Sequence, residues 1–279
     1  MTMNDAKNRF NPMWTALAIA VAITAIYVLV YLTQPFPPEW NENFMNYAPA
    51  VAAGLCATVA TWLWRHFDRA ERLYAVWGFF ALSLWTWTIA DVTWPLYPLL
   101  GNGMEVPTLS PPNACWVAGY IFFAVALVLQ WRLAFRPTRR QEQGGIAGGV
   151  LVTLVLTLVG AWVLVQFTGS EWELSVFLDA FYPAGDLILA LAAWALARAF
   201  GKGLWARPWL SLLVFAFADA LYTWTYDLGV YSSTPGAPGF MITVLADTLY
   251  LDAYLVVALA CYAQLLLVQN GPRLVRQRE

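Results

Sequence analysis

Charge is scarce in this sequence: 11% of its 279 residues are charged, one is histidine, and cysteine occurs three times. Each scarcity excludes something. Soluble domains carry about a quarter charged residues, so water is not the solvent around most of this chain. His66 stands alone in a charged stretch between Arg65 and Arg69, which excludes a bis-histidine haem and a histidine-based catalytic centre. No lysine lies in any long apolar segment, which excludes a retinal Schiff base. Cys56, Cys115 and Cys261 are odd in number and lack paired spacing, against both a disulfide framework and a zinc site. A phosphate loop, a G-x-S-x-G elbow and an H-E-x-x-H pair are all missing. The cofactor is therefore left unknown, and no nucleic-acid partner is expected.

Apolar residues make up 61% of the chain. A hydrocarbon core ~30 Å thick needs about 20 apolar residues per helix. The sequence supplies eight such segments, at Trp14–Thr33, Phe44–Trp64, Leu73–Leu96, Asn113–Ala134, Ile146–Phe167, Leu174–Ala197, Pro208–Asp227 and Met241–Val268. The expected fold is all-α and integral to a prokaryotic cytoplasmic membrane, with the lipid bilayer as its first partner. Trp14–Thr33 is too long for a signal-peptide core and has no small-residue cleavage site behind it, so it reads as a retained first helix.

Assigning the connections alternately to two sides splits the charges. One side holds Lys7 and Arg9; Arg65, Arg69 and Arg72; Arg132, Arg136, Arg139 and Arg140; Arg198, Lys202 and Arg207; and Arg273, Arg276 and Arg278. The other holds Glu39, Glu42, Glu105, Glu171 and Glu173, with no Lys or Arg. Positive charge is retained in the cytoplasm, so both termini are expected inside.

The halves share motifs at matching spacings. Ala90-Asp91 precedes Gly101 as Ala218-Asp219 precedes Gly229. Asn113, Trp116, Tyr120 and Gln130 have the same offsets as Asp247, Tyr250, Tyr254 and Gln264. Pro49 and Arg65 match Pro183 and Arg198 near the two ends of the second and sixth segments. The expectation is two parallel four-helix repeats, residues 1–140 and 141–279, forming one integral membrane domain.

Besides Asp227, the last residue of the seventh segment, six aspartates fall inside the segments: Asp91, Asp179, Asp186, Asp219, Asp247 and Asp252. A charge at a lipid-facing helix centre costs roughly 2.5–3.5 kcal/mol or more, and the one basic residue within the segments, Arg132, lies at the far end of the fourth and neutralises none of these. They are expected to face the bundle interior or a wet cavity toward the outer side. An aromatic follows three residues after an acid or amide five times: Asp91/Trp94, Asn113/Trp116, Asp179/Tyr182, Asp219/Tyr222 and Asp247/Tyr250. Positions i and i+3 share a helix face, as do Asp179 and Asp186. Carboxylates interleaved with rings suit an organic cation through charge and cation–π attraction. The plainer reading is interhelical hydrogen bonding, which is the expectation for Asp252, turned away from Asp247. The run Gly144-Gly145-Ile146-Ala147-Gly148-Gly149 suits either helix contact or a flexible helix start.

The segments W-T-I-A-D-V-T-W (87–94), P-T-L-S-P-P-N-A-C-W-V-A-G-Y (107–120), Y-P-A-G-D-L-I-L (182–189), F-A-D-A-L-Y (217–222) and A-D-T-L-Y (246–250) stand in order along the chain. With them the stretch from Arg72 to Gln264 resembles the multi-helix sensory module N-terminal to bacterial diguanylate cyclases and sensor histidine kinases. Asn113 stands where that family usually has an acid. The resemblance implies a ligand sensor, and since this sequence ends shortly after Val268, one that signals through a separate cytoplasmic or membrane protein. A fainter similarity, to eight-helix lysoplasmalogenases, would make Asp91 and Asp219 an acid–base pair of an intramembrane hydrolase, with Tyr262-Ala263-Gln264 as its terminal motif. A cation or small-molecule transporter is the remaining alternative. The favoured expectation is a stand-alone, non-enzymatic sensor whose ligand site comprises Asp91, Trp94, Asn113, Trp116, Asp179, Tyr182, Asp186, Asp219, Tyr222, Asp247 and Tyr250.

Overall fold

Backbone amides have no water to bond in lipid, so apolar runs of this length close their hydrogen bonds within helices. The computed structural model describes residues 12–97, 106–169, 171–200 and 207–276. Lys7, Arg9, Gly101, Glu105, Lys202 and Arg278, which enter the charge and repeat patterns, lie outside the described residues. Within them the chain forms eight long helices and no strand: α1 Pro12–Thr33, α2 Pro38–Trp64, α3 Arg72–Thr93, α4 Pro111–Phe135, α5 Arg139–Thr168, α6 Leu174–Ala199, α7 Arg207–Asp227 and α8 Phe240–Arg276.

Seven of them are long and apolar enough to cross a membrane, which makes this a helical membrane protein. The exception is α7, whose apolar run is diluted by Asp219, Tyr222, Thr223 and Thr225. Two helices begin well before their apolar segments. Pro38 opens α2 within its polar Glu39–Glu42 turn, proline being suited to a first helical position. A capping box between Thr138 and Gln141 starts α5 at Arg139. Apolarity marks where lipid begins, not where helix begins, so the sequence placed both starts several residues late.

The packing order places the site. Around a ring, α8 packs on α2, α2 on α3, α3 on α4, α4 on α6, α6 on α7 and α7 back on α8. Outside it, α1 lies against α8 and α2, and α5 against α6. The ring-facing sides of α2 and α6 are lined with alanine (Ala52, Ala53, Ala57 and Ala60; Ala184, Ala190, Ala193 and Ala197), and small residues let helix backbones approach closely. Each of these two helices also contains its proline, Pro49 or Pro183. On the peripheral helices, Ile19, Val21, Ile26 and Leu29 of α1 and Val150, Leu151, Leu154 and Leu158 of α5 are exposed. Exposed apolar area of that extent belongs in lipid rather than water. Gly144, Gly148 and Gly149 likewise have open space around them, so these three glycines make no close helix contact within this chain.

Two contacts, one at each end, tie the bundle. Gln34, after α1, donates to the Ser233 carbonyl between α7 and α8 at 2.8 Å. His66, after α2, lies 3.0 Å from Gln269 near the end of α8. At the second end, Trp77, Phe80, Phe123 and Trp209 interlock, with ring centroids 5.2–6.0 Å apart. The stack continues toward the first end through Trp87, 5.0 Å from Phe123 and 5.3 Å from Phe215.

Candidate functional site

Above that aromatic stack, toward the end tied by Gln34 and Ser233, the ring encloses a cavity of about 330 Å³. Trp87 and Phe215 form its floor, and Thr108, Ser175 and Tyr231 come from the connections and helix starts around its rim. All eleven residues singled out in the sequence line it: Asp91 and Trp94 from the end of α3, Asn113 and Trp116 from the start of α4, Asp179, Tyr182 and Asp186 from α6, Asp219 and Tyr222 from α7, and Asp247 and Tyr250 from α8. Among the described residues no Lys, Arg or His reaches it. Asp252 is held apart from the cavity and bonds to Thr24 on α1.

The carboxyls differ in how they are held. Asp91 accepts three donors: Trp116 Nε1 at 3.0 Å, Tyr250 OH at 3.1 Å and Tyr254 OH at 2.5 Å. Asp247 accepts two, Tyr31 OH at 2.7 Å and Tyr231 OH at 2.8 Å, both on Oδ2. Burial, with the Asp247 carboxyl beside it, holds the Tyr231 phenol well above its ordinary range, so it remains a donor. Asp186 accepts one, Tyr120 OH at 2.8 Å on Oδ1, while its buried Oδ2 has no donor. The Asp219 carboxyl meets both the Asp186 carboxyl and the Tyr120 hydroxyl. Asp179 has no hydrogen-bond partner among the described residues. Asn113 is fixed from both sides, accepting from Tyr182 OH at 2.8 Å and donating to the Thr108 carbonyl at 3.0 Å.

Within each i, i+3 pair both members reach the cavity, but the carboxyls take their hydrogen bonds from other helices: α3 from α4 and α8, α6 from α4, and α8 from α1 and the α7–α8 connection. The direct carboxyl contact is Asp186 with Asp219, while Asp91 and Asp219, the acid–base pair of the hydrolase reading, line the same cavity. Residues absent from the sequence reading of the site are Tyr31, Trp87, Tyr120, Phe215, Tyr231 and Tyr254. Tyr120 and Tyr254 carried a signal, since both stand seven residues after the repeated Asn113 or Asp247. Tyr31 and Tyr231 carried none: their role arises only when α1 and the α7–α8 connection fold against α8.

The rings make a continuous wall. Trp94 packs on Trp116 at 5.2 Å, Trp116 on Tyr182 at 6.2 Å, Tyr182 on Tyr120 at 6.0 Å, and Tyr222 on Tyr250 at 6.3 Å. Chemically this is an acceptor-rich chamber with apolar sides, at the lower end of the roughly 300–1,000 Å³ range of ligand pockets. No family model, no curated protein and no solved structure matches the chain.

Proposed function

We propose that this chain is a membrane ligand-binding protein of the sensory kind, holding a small organic cation in an outward-facing acid–aromatic cavity. The observation that carries the proposal is the gathering of five aspartates and a ring-lined wall around one chamber that no basic residue enters among the described residues. Buried carboxyls used only as interhelical glue would be satisfied by partners from facing helices. Asp91 and Asp247 are, but the second oxygen of Asp186 is buried without a donor, and half-buried Asp179 faces the chamber with no hydrogen-bond partner among the described residues. The closed aromatic floor favours binding over passage, which leaves the transporter reading without an observation of its own.

The orientation belongs to the same proposal. With α7 as an eighth crossing, Arg65, Arg69, Arg132, Arg136, Arg139, Arg140, Arg198 and Arg207 fall at the floor end. Glu39, Glu42, Glu171 and Glu173 fall at the mouth end, so the mouth faces outward and both termini face the cytoplasm. The contact of Gln34 with Ser233 at one end, and of His66 with Gln269 at the other, supports this alternation. The two-repeat reading gains support from the ring, because exchanging the halves turns the α2–α8 contact into α6–α4. It also turns Asp91 with Tyr254 into Asp219 with Tyr120.

The test is a binding titration of purified chain with small organic cations, followed by tryptophan fluorescence. Trp87, Trp94 and Trp116 report from the wall. Asp219→Asn should abolish binding while the protein keeps its elution profile and helicity. A variant that melts at a lower temperature yet binds as before makes the carboxyl cluster structural and ends the proposal.

A further inference from the structure

We infer that the cavity takes an ammonium bearing N–H donors, and that this ligand enters in exchange for a proton held between Asp186 and Asp219. The inference rests on the reading of the cavity as a ligand site and specifies which cation, where it sits and what leaves.

Asp186 is 4% exposed, lines the cavity and leaves Oδ2 without a donor. Its neighbour Asp219 is another acceptor. Of the nearby hydroxyls, Tyr182 is committed to Asn113, and Tyr250 and Tyr254 to Asp91, while Tyr222 lines the cavity without donating to either carboxyl. Tyr120 already serves Asp186 Oδ1. Two carboxyls in contact cannot both stay ionised without something positive between them, so with no ligand bound they share a proton. An ammonium N–H replaces that proton at the same acceptors. The balance is direct: the ligand nitrogen keeps its charge and its protons, the carboxyl pair gives up one proton to water at the mouth, and the net charge of the site is unchanged. A quaternary ammonium has no N–H and cannot satisfy Asp186 Oδ2. A metal cation lacks a ligand set, since no group of three or more His, Cys, Asp or Glu positioned to hold one occurs among the described residues. Trp87, Tyr120 and Phe215 beside the pair favour an aryl body on the amine.

The groups that face the pair fix the sign of the pH dependence. Tyr120 comes from α4, Asp91 from α3, Asp247 and Tyr250 from α8, Tyr222 from α7 and Asp179 from α6, while α2 contributes only Met45, Asn46 and Pro49. None is basic, so among the described residues no group neutralises the pair, and that falls to the ligand or a proton. Below the titration of the shared proton, affinity therefore rises with pH, by about tenfold per unit for one proton released.

The experiment is calorimetric titration of the full chain with phenethylammonium in two buffers of different ionisation heat, repeated with its N,N,N-trimethyl analogue. Expected are release of about one proton per ligand bound and binding of the trimethyl compound weaker by at least about tenfold, the loss of one charge-assisted hydrogen bond. Asp186→Asn should abolish proton release, and Asp252→Asn should leave it unchanged. The two-buffer result on the unaltered chain decides the matter even if Asp186→Asn fails to fold. Binding of phenethylammonium without proton release, or equal binding of the trimethyl compound, overturns the exchange while leaving the ligand cavity standing. No binding of either compound removes the cavity reading, and the inference with it.

Discussion

Single residues decide whether the chamber exists. Gly119 on α4 lies where the Trp87 indole crosses, and a Cβ there would collide with the ring. The same indole donates to the Trp116 carbonyl at 3.1 Å and forms part of the floor. Gly119→Ala should therefore lower stability by about 1–3 kcal/mol, the usual cost of overpacking, and should disturb the floor. Gly144→Ala, with nothing within contact range, should melt no earlier than the unaltered chain. Thermal melts of both variants in one detergent check the contrast. Tyr254→Phe removes the shortest of three donors to Asp91. Because Trp116 and Tyr250 still serve that carboxyl, the loss should stay near 0.5–1.5 kcal/mol rather than unfold the protein.

At the scale of elements, the connection between α7 and α8 does more than join two helices. Val230 and Tyr231 both donate to the Thr225 carbonyl, at 3.1 and 3.0 Å, which folds the chain back and delivers Tyr231 to Asp247. Gly239 makes the fold-back possible, with φ of 89° and no room for a Cβ against the Val230 carbonyl. Gly239→Ala should loosen this connection and speed hydrogen exchange at Tyr231 more than at α3 amides. Exchange that stays unchanged at Tyr231 would show that the connection tolerates the side chain. This connection also marks what the sequence could convey. Helices and their faces were legible because apolar length and i, i+3 spacing are local properties, so every expected site residue reached the cavity. The donors were not legible, because Tyr31 and Tyr231 meet Asp247 only through long-range packing. The shape of the carboxyl pair was hidden for the same reason. Asp91 and Asp219 match as repeat positions, but α6 packs on α7, so it is Asp186 that touches Asp219.

Over the whole molecule, the six-helix ring separates two kinds of interior. One end is sealed by interlocked rings around Trp77 and Trp209, and the other opens around carboxyls. In the proposed reading, that asymmetry, set against the arginine-bearing and glutamate-bearing connections, makes the helical bundle a receptacle facing one side. Reporter fusions after Ser233 and Asn270 test the orientation: the first should be external and the second cytoplasmic, and an internal signal at Ser233 would remove α7 as a crossing. The central claim, that the carboxyl-lined chamber holds a ligand, is tested most directly by a density map of the purified chain at neutral pH. The account predicts density not belonging to the protein within hydrogen-bonding distance of Asp186 and Asp219, walled by Trp116, Tyr182, Tyr222 and Tyr250. Side chains closed over the chamber, or a lipid tail filling it with its headgroup away from both aspartates, would contradict it.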